Sequence, residues 1–226
     1  MSTRQDYTHI TIILDRTGSM ESIKDDTIGG FNTFLGKQQN LPGKATMTLV
    51  QFDSLDPYEV IHSFKPVKEM PELDSSTYEP RASTPLLDAI GRGINDLEKR
   101  LGDMKMKDRP GKVVMVIITD GRENSSQEFK KPQIEKMIKR KEKDDWQFVF
   151  LSSDLGAIND AEHYGFSKNR TMAFDKNSRG TARMYSSVSD RISDYRSGKQ
   201  DAVAFEDSDR DAQETEKKKK GKKKKK

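Results

Sequence analysis

The chain contains no cysteine, which removes disulfides, cysteine-ligated zinc and thiol nucleophiles while leaving the redox compartment open. Long apolar runs are missing as well: the longest, Val113 to Ile118, is far too short to cross a bilayer. Met1 to His9 is polar and carries no apolar signal region, so a soluble, cytoplasmic protein is expected. Histidine is scarce, and His9, His62 and His163 have no ligand-like spacing. The single tryptophan, Trp146, stands at a strand start, where core or rim is expected rather than a stacking platform. A basic body is also lacking. The formal charge is +4, but residues 217–226 hold nine lysines; of the 41 basic residues 32 remain elsewhere, against 37 acidic, a balance of −5. The positive charge therefore belongs to one end, which suits electrostatic tethering rather than a nucleic-acid-binding face.

What is present reads as alternating strands and helices. With 226 residues and 32% hydrophobic content, the chain suffices for one ordinary core. His9 to Leu14 is β-branched and apolar and ends at a turn, after which Ile28, Phe31, Phe34 and Leu35 follow at helical spacing. Thr46 to Phe52 and Glu59 to Phe64, joined by the turn-rich segment 53–58, predict an antiparallel hairpin. Leu87, Ile90, Ile94, Leu97 and Leu101 form one apolar helical stripe. Val113 to Ile118 has no polar alternation and needs cover on both faces, as in the middle of a parallel sheet. A charged helix over Lys131 to Asp144, a strand at Gln147 to Leu151, a short helix near Ala157 to Tyr164, a weak strand at Thr171 to Phe174 and a helix carrying Met184, Val188, Ile192 and Tyr195 complete the pattern. It predicts an α/β, Rossmann-like, doubly wound and mostly parallel sheet with one antiparallel edge strand and helices on both faces. The folded domain is expected over residues 7–195, followed by a disordered tail over 196–226 ending in the lysine run.

Ligands of such sheets gather beyond the strand carboxyl ends, and three polar loops fall there. Asp15, Thr17 and Ser19 alternate along the first, with Gly18 permitting the tight turn; Thr84 lies at the start of the long helix; Asp120 ends the most buried strand. Two carboxylates and three hydroxyls form an all-oxygen set suited to a hard cation such as Mg²⁺, with Mn²⁺ or Ca²⁺ as alternatives. A position left open on such an ion would accept an acidic group from a partner, which is binding without a reaction. Each loop has a plainer reading: Asp-x-Thr-Gly-Ser and Asp120-Gly121 as turns, Thr84 as a helix N-cap before Pro85. Arg16, Glu123 and Asn124 are candidate partner-contacting rim residues, Arg16 with its side chain directed outward.

Ile12-Ile13-Leu14-Asp15-Arg16-Thr17-Gly18-Ser19-Met20 resembles the first segment of the metal-ion-dependent adhesion site of von Willebrand factor A domains, written Asp-x-Ser/Thr-x-Ser. Ala82 to Ile90, with Thr84, is similar to the threonine segment, and Ile118-Thr119-Asp120-Gly121 to the aspartate segment. The resemblance covers roughly residues 7 to 195 and is nearest to compact bacterial and phage members. It implies direct coordination by Thr17, Ser19 and, in one state, Thr84, with Asp15 and Asp120 often acting through water. It also implies a protein ligand that supplies a carboxylate to the metal, and no catalysis. Thr17 replaces the commoner serine but keeps the hydroxyl.

Two alternatives remain at this point. Asp15-Arg16-Thr17-Gly18-Ser19 also resembles the phosphorylation loop of haloacid-dehalogenase-like enzymes, with Asp15 as nucleophile, magnesium between Asp15 and Asp120, and a lysine such as Lys112 steadying the charge. Against it, Thr17 stands where the phosphatases place a second carboxylate. The lysine tail could in turn make nonspecific contact with nucleic acid or an anionic surface, although no base-reading module accompanies it.

Overall fold

The computed structural model describes residues 4–210. Six strands, β1 (Arg4–Asp15), β2 (Lys44–Phe52), β3 (Glu59–Pro66), β4 (Pro110–Thr119), β5 (Trp146–Ser152) and β6 (Thr171–Ala173), form one sheet in the order β3-β2-β1-β4-β5-β6. All pairings are parallel except β2 with β3, so the single antiparallel strand is at the edge, as its hairpin sequence predicts. The helices are α1 (Lys24–Gln39), α2 (Leu86–Asp103), α3 (Lys131–Glu142), α4 (Leu155–His163) and α5 (Ser178–Arg196). No helix among the described residues is long and apolar enough to cross a membrane.

The unbroken apolar run of β4 divides between two cores by strand alternation. Val114, Val116 and Ile118 join Phe31 and Phe34 of α1 and Met184, Val188 and Ile192 of α5 on one face. Val113, Met115 and Ile117 join the α2 stripe, Ile134 and Ile138 of α3, and Ala157 and Ala161 of α4 on the other. Helices thus cover both faces, which is why β4 needs no polar alternation. The second face has a polar inset: His9 is buried, bonded to Thr46, Thr11 and Thr48, and stacked on Phe64 at 3.8 Å.

The structure differs from expectation at both ends. β1 begins at Arg4, ahead of residue 7. The stretch after residue 196 was expected to be disordered, yet Val203 and Phe205 are buried in the α1/α5 core, and Arg191 pairs with Glu206 and Asp209. Two apolar side chains in a polar segment suffice to dock it. Residues 211–226, including the lysine run, lie outside the described residues.

Chain direction positions the site. From β1 the chain winds one way to β2 and β3, then crosses through α2 to β4 on the opposite side of β1. The winding reverses between β1 and β4, and their carboxyl ends open the crevice where such sheets place ligands.

Candidate metal centre

Asp15, the last residue of β1, is fully buried. Its Oδ1 accepts the Thr17 N–H at 2.6 Å and its Oδ2 accepts the Thr119 hydroxyl at 2.5 Å, tying the ends of β1 and β4 together. Burial pushes the Asp15 carboxyl up to about 7; these hydrogen bonds pull back and the charge of Asp120 adds to the rise. Ser19 donates to Asp120 Oδ1 at 2.6 Å across 101 residues of sequence, and its oxygen is 3.2 Å from the Thr17 hydroxyl.

The third loop is pinned by its backbone. Gly18 N–H donates to Ala82 C=O at 3.1 Å and Arg81 N–H to Arg16 C=O at 2.8 Å. Ala82 adopts φ +59°, a left-handed conformation costly for a residue with a Cβ, as often found where a loop is held for function. Thr84 follows, buried, and its hydroxyl is not spent on the helix: α2 has Pro85 at its N-cap and no side-chain cap. The free amides of the first turn are met from outside, Leu87 N–H by Glu123 Oε2 at 2.9 Å and Asp88 N–H by Ser126 Oγ at 3.1 Å. Thr84 is held through its backbone, its N–H donating to Asn124 Oδ1 at 2.8 Å and its C=O accepting from Asn124 N–H at 3.1 Å.

The five expected ligand residues therefore converge. A Cβ placed on Gly121 would be 3.8 Å from both Ser19 Oγ and Thr84 Oγ1, so the hydroxyls of two loops face the glycine that follows Asp120. These residues fit a hard divalent cation: the donors are all oxygen, Asp120 Oδ2 is buried without a hydrogen bond, and a cation already stands there in the form of the Lys176 ammonium, 2.5 Å away. No group of three or more acidic, histidine or cysteine side chains poised for metal occurs among the described residues; hydroxyls make up three of the five residues of the set.

The proposed rim is otherwise than expected. Arg16 does not point outward; it is buried, donating to Asp53 Oδ2 at 2.6 Å and pairing with Glu59. Arg81 also donates to Asp53, at 3.0 Å. Burial works to raise the Asp53 carboxyl, but Arg16 and Arg81, with the Leu55 and Asp56 amides, hold it below the usual range. Glu123 and Asn124 brace α2 and Thr84 rather than standing free. Lys112 is at the opposite end of β4, opposite Thr8, and donates to Tyr195 C=O at 2.7 Å, so it cannot steady charge at Asp15.

No family model matches the sequence, and no curated protein matches it either. Solved structures do match in three dimensions. Proximal thread matrix protein 1 from the mussel byssus, in a form described as having a zinc-occupied MIDAS motif, superimposes with TM-score 0.55 at 13% identity over 83% of this chain and 46% of that one. The pilus adhesin SpaC from Lactobacillus rhamnosus GG gives 0.60 at 13% over 85% and 30%, and a von Willebrand factor type A structure from Catenulispora acidiphila 0.51 at 10% over 84% and 42%. The fold is that of a von Willebrand factor A domain. The chain spans less than half the length of these A-domain-containing chains, and at such identities the likeness is one of fold.

Within the A-domain fold, sequence reasoning missed four side chains that organise the site. Thr119 orients Asp15. Asp88 is buried and accepts the amides of Gln127, Glu128 and Phe129 at 2.8 to 3.0 Å, shaping the loop after Asp120; the signal was a lone carboxylate in the otherwise apolar run Leu86-Leu87-Asp88-Ala89-Ile90 that opens the helix. Asp53 was read as part of a turn. Lys176, before α5, reaches Asp120 and the Ser19 carbonyl; nothing in the sequence pattern marks it.

Proposed function

We propose that this A domain is a protein-interaction module that takes up one divalent cation, Mg²⁺ by preference, on Asp15, Thr17, Ser19, Thr84 and Asp120, and presents it to a carboxylate of a partner. The observation that carries the reading is the meeting of three loops, distant in sequence, around Ser19, Thr84 and Asp120 at the sheet's switch point. Hydroxyl and carboxylate oxygens suit Mg²⁺ or Mn²⁺, with Ca²⁺ also of the right hardness. Bound there, the ion supplies a concentrated positive charge on the surface beside exposed Ser19. Two carboxylates balance a divalent charge without exceeding it and the three hydroxyls are neutral, so a coordination position left open on the ion would take a further carboxylate oxygen without facing an excess of negative charge. Exposed Leu55, on the loop after β2, and exposed Leu155, the first residue of α4 just after β5, are at the same end of the sheet and offer apolar contacts to a protein surface.

Phosphoryl transfer is disfavoured because a nucleophilic Asp15 would have to meet the phosphorus of a bulky ester, whereas its side chain is fully buried and Thr17 stands where the phosphatases place a second carboxylate; a small ion, held directly or through water, needs no such approach. A cytoplasmic location and a nonspecific tethering role for the lysine tail belong to the same proposal.

Millimolar Mg²⁺ should raise the melting temperature, since about a hundredfold excess over the dissociation constant adds roughly 2.7 kcal/mol. Asp15→Ala or Asp120→Asn should cancel that gain, and affinity capture with and without EDTA should yield a partner lost in EDTA and from Thr84→Ala. A parent protein indifferent to Mg²⁺, Mn²⁺ and Ca²⁺ would refute the reading.

A further inference from the structure

Asp120 has a side chain with no exposure. Its Oδ1 accepts the Ser19 hydroxyl, but its Oδ2 is buried and receives no hydrogen bond. A buried carboxylate oxygen left so would be costly without a counter-charge. Lys176 provides one: its Nζ is 2.5 Å from Oδ2 while donating to the Ser19 carbonyl at 2.7 Å. The contact with Oδ2 is thus a charge contact without hydrogen-bond geometry, close but poorly directed. It joins two of the segments on which the proposed cation site is built.

Three features make this lysine exchangeable. Its side chain is 35% exposed, so the flexible stem can swing into water without opening the core. Its backbone is fixed independently: Phe174 N–H donates to Ser152 C=O at 3.0 Å, and the Asn177 side chain caps α5 by accepting from Gly180 N–H at 3.0 Å. The ammonium and a divalent ion would compete for one carboxylate, and like charges at contact distance repel strongly in a partly buried site.

We propose that Lys176 is the site's own counter-cation, an internal competitor that neutralises Asp120 until a divalent ion takes the carboxylate, so that metal uptake exchanges lysine for metal. This rests on the metal-binding reading above. The lysine keeps the metal-free site from holding a naked carboxylate and sets a threshold for occupancy, so that only an ion with enough charge density to displace an ammonium is held. The balance is simple: one ammonium leaves the carboxylate for water as one hydrated divalent ion loses part of its water shell to the protein oxygens.

The test is calorimetric titration of Mg²⁺ and of Mn²⁺ into the full chain and its Lys176→Met and Lys176→Arg forms, with melting temperatures in EDTA measured alongside. Lys176→Met should bind about tenfold tighter or better and melt lower in EDTA, because Asp120 loses its partner. Lys176→Arg, which keeps the charge, should stay near the parent in both. Binding seen only in Lys176→Met would be the extreme form of the expected result. If the parent binds metal and Lys176→Met binds no tighter, the exchange is overturned and the metal-site reading stands. If Lys176→Arg tightens as Lys176→Met does, bulk rather than charge was limiting and the exchange is likewise overturned. If no form binds either ion, both readings fall.

Discussion

At Asp15 folding and ionisation oppose each other. Burial holds its carboxyl near 7 against an ordinary 3.8, so between these values the folded chain binds more protons than the unfolded one. Stability from this residue is therefore complete below about pH 3.8 and is lost as pH rises through about 7. A divalent cation must displace that proton. In EDTA, Asp15 should weaken the fold on going from pH 5.5 to pH 8, and the melting-temperature gain on adding Mg²⁺ should be larger at pH 8. Equal gains at the two pH values would contradict an ionised Asp15 in the cation-bound state. His9 has the opposite sign: burial first, then Arg100, lowers it to about 3 from 6.5, so its contribution is present above 6.5 and lost as pH falls toward 3. His9→Gln should flatten that acid limb without touching the Mg²⁺ effect. Both residues were visible in the sequence, but only Asp15 by pattern. His9 carried no sign of burial, because the threonines that satisfy its ring lie partly on β2, 37 and 39 residues away.

For whole elements, what was legible followed from periodicity. The β4 run, with no polar alternation, could only be a doubly covered strand, and the α2 stripe could only be one face of a helix. Contacts set by the order of strands were not legible. Lys176 reaches Asp120 because β6 lies two strands from β4 on the same side, which no local pattern encodes. Arg16 was expected to face water and is buried because Asp53, at the end of β2, lies beside it. Thr84 was read as a possible cap, whereas Glu123 and Ser126 perform that task from another loop. Helix packing gives a sharper test. A Cβ on Gly30 of α1 would fall 2.2 Å from Tyr185 Cδ2 of α5, so this glycine is what lets the two helices approach. Alanine should gain about 1 kcal/mol of helix propensity but lose roughly 1–3 kcal/mol to overpacking a buried ring. The expected outcome for Gly30→Ala is a net fall in the urea midpoint with the slope unchanged. A midpoint at or above the parent's would mean that the Tyr185 ring moves aside freely.

Over the whole molecule, charge and stability are divided along the chain. Val203 and Phe205 anchor residues 197–210 to the core, so a chain ending at 196 should lose up to about 3–6 kcal/mol, while one ending at 210 should unfold like the full chain. The shorter of these cuts was not foreseeable from composition, since two apolar residues in a polar stretch look negligible until the groove they fill is known. The nine lysines at 217–226 lie on the far side of the second cut. Residues 1–216 carry −5, and the 1–210 chain, which also lacks Asp211, Glu214 and Glu216, still carries −2, so attraction to RNA or to anionic vesicles should reside in the lysine end and vanish from the 1–210 chain. Counterion release makes the logarithm of such an affinity fall linearly with the logarithm of salt concentration. Mg²⁺ at the cation site should not alter that slope once ionic strength is matched, because the ion would be held by the A domain and not by the tail. Salt-insensitive binding that persists in the 1–210 chain would instead assign polyanion recognition to the folded body, against its own charge.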